Sequence, residues 1–149
     1  MEMYKFFYHT ADAKFQAFGQ TIEETFTHAA LAIASLMWDW NKIANNIEIP
    51  VVVEGQDLEQ LLVNFLEEIL YLLDTRNFLL GSIDNVTLEK ERGSWKIQAL
   101  FRGDKNAIEY EIYGNVKAIT YNEMVINDRA PFMVQVCLLY TSPSPRDRS

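Results

Sequence analysis

The chain has 149 residues and one cysteine, Cys137, so it holds neither a disulfide framework nor a thiol-based metal site. No run of 18 apolar residues occurs, which excludes a membrane-spanning helix. The N-terminus MEMYKFFYHTAD lacks the basic start and apolar core of a secretory signal, so the expected location is the cytoplasm. Basic residues are scarce: 13 Lys and Arg stand against 21 Asp and Glu, a net charge of −8. Without residues 137–149, which carry Arg146, Asp147 and Arg148, the remainder has 11 basic and 20 acidic residues, or −9. An acidic surface repels phosphate backbones, because nucleic-acid affinity comes largely from cationic side chains that release counterions. Direct nucleic-acid binding is therefore not expected, and a basic protein partner or a hard cation fits the charge better. Catalytic signatures are missing as well. There is no Gly-rich phosphate loop, no Ser/His/Asp pattern at a recognisable elbow, no CxxC and no HExxH. An independent enzyme is not expected.

What is present is a patterned chain, 49% hydrophobic, long enough for one domain with a real core. Residues 4–9 read as a strand, Thr10-Ala11-Asp12 as a turn, and Lys14 to Phe18 as a second short strand. Thr21 opens a helix, with Glu24 three residues on completing a capping-box pattern. Ile22, Phe26, Ala29, Ile33, Leu36 or Met37, and Trp40 keep helical spacing. Trp38 and Trp40 read as core and rim packing rather than as aromatic ligand contacts. Ile47, Ile49, Val51 and Val53 alternate as a strand, and Pro50 puts it at an edge or bulge. Asp57 can cap a second helix reaching about Leu73, with Glu59, Glu67 and Glu68 on a solvated face. After Gly81 the pattern is β: a hairpin turning at Arg92-Gly93, then strands near 107–113, 115–126 and 131–136. No internal repeat or domain linker is evident. Two helices and six or more strands, segregated along the chain, predict an α+β domain with both helices packed on one mostly antiparallel sheet.

From Cys137 the chain reads CLLYTSPSPRDRS. This Ser/Pro/Arg text is not expected to continue a buried sheet, although Leu138, Leu139 and Tyr140 could lengthen the last strand slightly. It resembles a translated sequencing-library adapter, the alternative being a disordered native tail. The expected division is a domain over 1–136 and a non-native tail over 137–149.

Three segments carry a family resemblance. They are His9-Thr10-Ala11-Asp12 with Gly19, Thr21, Glu23 and Glu24; the helix from Leu58 through Glu67-Glu68 to Asp74; and Val116-Lys117-Ala118-Ile119-Thr120-Tyr121 with Met124. In that order they resemble the archease family, with Asn122 departing from the histidine usual after the tyrosine. The resemblance implies a non-enzymatic activator of the GTP-dependent, 3′-phosphate-joining RNA ligase of tRNA splicing. It also implies a divalent cation, calcium before manganese or magnesium, held by Asp12 and by an aspartate and the following residue at the extreme C-terminus, at the end of the last strand. Hard cations need several oxygens, and carboxylates from separate strands supply them compactly. That aspartate is expected at position 137, where Cys137 stands, so the site should be half built. Asp12 has an ordinary alternative as a turn residue. His9 and His28 read as packed rather than ligating. Lys117 is implied as a partner-binding residue, the alternative being an exposed strand lysine. The rival reading is a metal-dependent hydrolase using Asp12, Asp74 and a C-terminal carboxylate. A third is a ligand-binding or chaperone-like module with an open apolar groove.

Overall fold

A computed structural model describes residues 2–8 and 12–141. The expected turn at Thr10-Ala11 and the strand-end residue His9 lie outside the described residues. The chain order is β1 (Tyr4–Tyr8), β2 (Asp12–Gly19), α1 (Ile22–Ser35), a 3-10 turn at Trp40–Lys42 and β3 (Ile47–Gly55). It continues with α2 (Leu58–Arg76), β4 (Phe78–Glu91), β5 (Ser94–Lys105), β6 (Asn115–Asn127) and β7 (Phe132–Thr141). This is the expected α+β class with two helices. The strands, however, divide into two antiparallel sheets, β1-β2-β7-β6 and β3-β5-β4, rather than forming one. Both helices touch both sheets: α1 packs on β2, β7 and β4, and α2 on β3, β4, β5 and β6. A helix between sheets must be apolar nearly all round. In α1, Phe26, Ala29, Ala30, Leu31, Ala32, Ile33 and Ala34 are all buried, and the alanines let the backbone approach its neighbours. Phe65 of α2 ties the layers together, its ring 6.3 Å from Phe26 of α1 and edge-on to Phe101 of β5 at 5.7 Å.

Each helix enters from its strand by the same device, so the chain does contain a short repeat. Gly19-Gln20-Thr21-Ile22-Glu23-Glu24 matches Gly55-Gln56-Asp57-Leu58-Glu59-Gln60 position by position. The Thr21 hydroxyl accepts from the Glu24 amide (3.0 Å) and Asp57 Oδ1 from the Gln60 amide (2.8 Å). The third helical side chain then reaches back to the residue before the cap: Glu24 Oε1 accepts from the Gln20 amide (2.6 Å), Gln60 Oε1 from the Gln56 amide (2.7 Å). The glycines are required by close approach. A Cβ at Gly19 would lie 2.6 Å from the Thr25 amide nitrogen, and one at Gly55 2.5 Å from that of Leu61. Six residues are too short a match to stand out by eye.

Three further expectations change. α1 ends at Ser35, and Trp40 belongs to the 3-10 turn instead of the helical face. Trp38 is in the core as expected, fully buried, with its Nε1–H donating to the Leu80 carbonyl at 2.9 Å, where the β4–β5 register shifts. Residues 107–113 form no strand, although Ile108, Tyr110 and Ile112 alternate. The Tyr110 hydroxyl donates to Asp104 Oδ2 (2.6 Å), and Tyr113 donates through its hydroxyl to the carbonyl of Ser35 at the end of α1 (2.8 Å) and through its amide to that of Met37 just beyond it (2.9 Å). These contacts pull the segment into a loop, leaving Ile108 fully exposed. The Arg92-Gly93 hairpin is as expected, both residues having positive φ. Pro50 does lie on an edge strand, β3. The sheet also continues past Val136: Cys137 and Leu138 are buried, and β7 runs on to Thr141 because Leu138 keeps the inward alternation of Val134 and Val136. Residues 142–149 lie outside the described residues.

Candidate cation site on the open face of the four-stranded sheet

β2 alternates strictly. Ala13, Phe15 and Ala17 face the core, so Asp12, Lys14 and Gln16 face outward. Asp12 is thus the first residue of a strand and not a turn residue. Its partner across the ladder is Leu139, and Cys137 lies opposite Lys14. Residues directly opposite share a face, so the residue at 137 stands diagonally beside Asp12, about 7–8 Å away. Gln16 and Gln135 extend the same face, joined at 2.9 Å.

β6 completes the site through an irregularity. Its pairing with β7 breaks between Thr120 and Val125, and Glu123 in the bulge takes φ 55°. The Gln135 side chain holds the bulge by donating to the Glu123 carbonyl at 2.8 Å. The Glu123 carboxylate then meets the Lys14 ammonium at 3.3 Å. Lys14 also lies 5.7 Å from the centre of the Phe7 ring. The Thr120 hydroxyl donates to the Cys137 carbonyl at 3.0 Å, pinning the strand at that point. Burial pushes the Cys137 thiol up, the charges of Glu123 and Asp12 push it further, and Lys14 opposes them. Asp12, Lys14, Glu123 and residue 137 therefore form one electrostatic group.

The donor set present does not suit a hard cation. A buried, protonated thiol is a poor ligand for calcium, which takes oxygen, and the neighbouring ammonium already neutralises Glu123. Among the described residues no group of three Asp, Glu, His or Cys side chains could hold a metal ion. His28 is engaged elsewhere, its Nδ1–H donating to the Phe18 carbonyl at 2.6 Å. Asp74 lies on α2, lining one groove with Lys117 and another with Arg76. It does not join the groups around residue 137. Asn122 sits exposed in the β6 bulge.

Lys117 is exposed in a second bulge of β6, between Val116 and Ala118. Ala118 pairs with Leu139, which pairs with Asp12. The register thus brings Asp12 and Lys117 to the same end of the sheet, two strand spacings or about 10 Å apart. Glu123 and Lys14 were not foreseen. The one signal for Glu123 is the polar run Tyr121-Asn122-Glu123, which breaks the alternation of β6 and marks the bulge.

A model of the archease protein family matches residues 4–138. Protein archease of Pyrococcus furiosus is 38% identical over 132 residues, covering 88% of this chain and 92% of that protein. Protein archease of Methanosarcina mazei is 36% identical over 128 residues, covering 85% and 88%. The solution structure of Methanobacterium thermoautotrophicum protein 1598 superposes with a TM-score of 0.77 at 27% identity, covering 95% of this chain and 99% of the other. The family match spans both helices, the first six strands and β7 as far as Leu138, including the start of β2 with Asp12 and the bulges of β6, and the chain belongs to the archease family.

Proposed function

We propose that this protein is a non-enzymatic activator of the GTP-dependent RNA ligase of tRNA splicing, acting on ligase guanylylation and turnover through the sheet end that carries Asp12 and Lys117. The observation that supports it best is the β2–β7 register. Residue 137, at which the family resemblance expects an aspartate, shares the open face with Asp12 and Glu123. With aspartate there, two carboxylates from separate strands would offer oxygens to one divalent cation, calcium by preference. With Cys137 they do not, so this chain should activate poorly. Asp12 and Lys117 present opposite charges at one rim, a pattern suited to orienting a charged group on a partner. The location in this reading is the cytoplasm. The hydrolase alternative gains nothing from Asp74, which stands apart from the Asp12 group.

The test uses the Cys137→Asp chain mixed with its cognate ligase. Guanylylation and multiple-turnover joining of RNA halves should both rise, with no joining by the activator alone. Asp12→Ala should abolish the stimulation, and Lys117→Glu should weaken it. Unchanged guanylylation, or unaided hydrolysis of a phosphate ester, would reject the reading.

A further inference from the structure

Among the described residues α2 differs from α1 in keeping one stripe uncovered. Asn64, Glu67, Glu68, Tyr71 and Asp74 follow one another at helical spacing, and Tyr71 is 58% exposed. The stripe runs between the free edges of the two sheets, β3 on one side and β6 on the other. On the β3 side an open groove of about 470 Å³ lies between Val52, Val53 and Glu54 and the acidic stripe. On the β6 side a second, of about 500 Å³, lies between Asn115, Val116 and Lys117 and the last turns of α2. Tyr71 lines both grooves and separates them.

Both strand edges are blunted. In β3, Pro50 lacks an N–H, and the Glu54 carbonyl accepts from the Asn64 side chain at 2.8 Å. β6 is interrupted by its bulges. Strand addition is thus disfavoured, and recognition here would go through side chains. The side chains have one sign: the β3-side groove has Glu54, Glu67 and Glu68 in its lining and no Lys or Arg. None of these three carboxylates forms an ion pair among the described residues. Burial holds the Glu68 carboxyl above its ordinary value, so an arriving cation would find a partly desolvated group without a counter-ion. Exposed aromatic and apolar surface lines the same groove, in Tyr71 and Val52.

We propose that this stripe is a docking surface for an arginine-bearing basic segment of a protein partner, with Tyr71 as its central anchor. Guanidinium groups pair with carboxylates and stack on tyrosine rings, which lysine does less well. Tyrosine and arginine are both enriched among the residues that carry most of the binding energy at interfaces. Nucleic acid is opposed by the same carboxylates. Lys117 closes the far groove, so a segment crossing Tyr71 ends near the sheet end that carries Asp12. Naming the partner as the RNA ligase rests on the function proposed above; the docking surface does not.

The test titrates the ¹⁵N-labelled chain with a short synthetic peptide alternating arginine and glycine, with single-stranded RNA, and with the ligase. Peptide-induced amide shifts should cluster at 52–54, 64–74 and 115–117. Tyr71→Ala and Glu67→Lys/Glu68→Lys should each weaken peptide binding about tenfold or more. Glu89→Lys/Glu91→Lys on β4, with the same net-charge change, should weaken it by less than about threefold, being only a long-range screened effect. Equal loss in that control, shifts elsewhere, or RNA binding the stripe more tightly than the peptide overturns the proposal. Ligase affinity should fall with the α2 variants and survive Asp12→Ala. A ligase that binds and is stimulated equally by the α2 variants overturns the ligase as the partner of this surface and spares the activator reading. Peptide docking on the stripe without any ligase binding spares the docking surface and overturns the activator reading.

Discussion

Replacing Cys137 by aspartate tests whether its neighbours are arranged for a cation. The new carboxylate would lie about 7–8 Å from Asp12 on the face that also carries Glu123, with Lys14 the cation that opposes them among the described residues. At an effective dielectric near 20, like unit charges at that distance repel by about 2 kcal/mol. Asp12 and Glu123 both contribute and Lys14 offsets part, so a net cost of about 1–3 kcal/mol is expected for the cation-free protein. For a domain of this size that is roughly 3–10 °C in melting temperature. A cation at 100 times its dissociation constant restores about 2.7 kcal/mol. Thermal unfolding followed by circular dichroism, in chelator and in excess calcium, reads both effects. Cys137→Asp should melt below the parent in chelator and recover in calcium, whereas the parent should respond little. Adding Asp12→Ala should remove the calcium response and raise the chelator melting point, since one repulsive partner is gone. The reasoning fails if calcium shifts the parent and Cys137→Asp equally, or if the Asp12→Ala background keeps the response.

Two further outcomes follow from the fold. Trp38→Phe removes the indole donor from the buried Leu80 carbonyl and opens space in the core, and denaturant unfolding should show a loss of about 2–4 kcal/mol. Trp40→Phe, at a half-buried site bonded only to the Tyr4 hydroxyl, should cost less than about 1 kcal/mol. The Tyr110 hydroxyl, then the Lys105 amide and Asn46, hold the Asp104 carboxyl below the usual carboxylate range. Its stabilisation is therefore present above the ordinary carboxylate value and lost as pH falls through the lowered one. Tyr110→Phe should raise the Asp104 titration in NMR and speed hydrogen exchange across 106–114. An unmoved titration would remove Tyr110 as the cause.

Much of the frame was legible because it rests on local rules. The caps Thr21 and Asp57 are satisfied within their own turns, and the Arg92-Gly93 turn needs only two residues able to take positive φ. Apolar residues at helical or alternate spacing mark which face of each element is buried, whatever covers it. The 107–113 segment shows where such rules stop. Its alternation is that of a strand, but Ala44, Met37 and Ser35, distant in sequence from the tyrosines they bond, decide its path.

The sequence by itself determined the α+β class, the two helices with their caps, the acidic character of the surface and Asp12 as a candidate. The tertiary structure alone decided that seven strands form two sheets, that α1 lies buried against both, and that Glu123 and Lys14 join Asp12 around residue 137. The physical reason lies in range. Periodicity and capping are properties of neighbouring residues. Ladder partners such as Lys14 and Cys137 are 123 positions apart along the chain, and which strands meet depends on how the whole core packs.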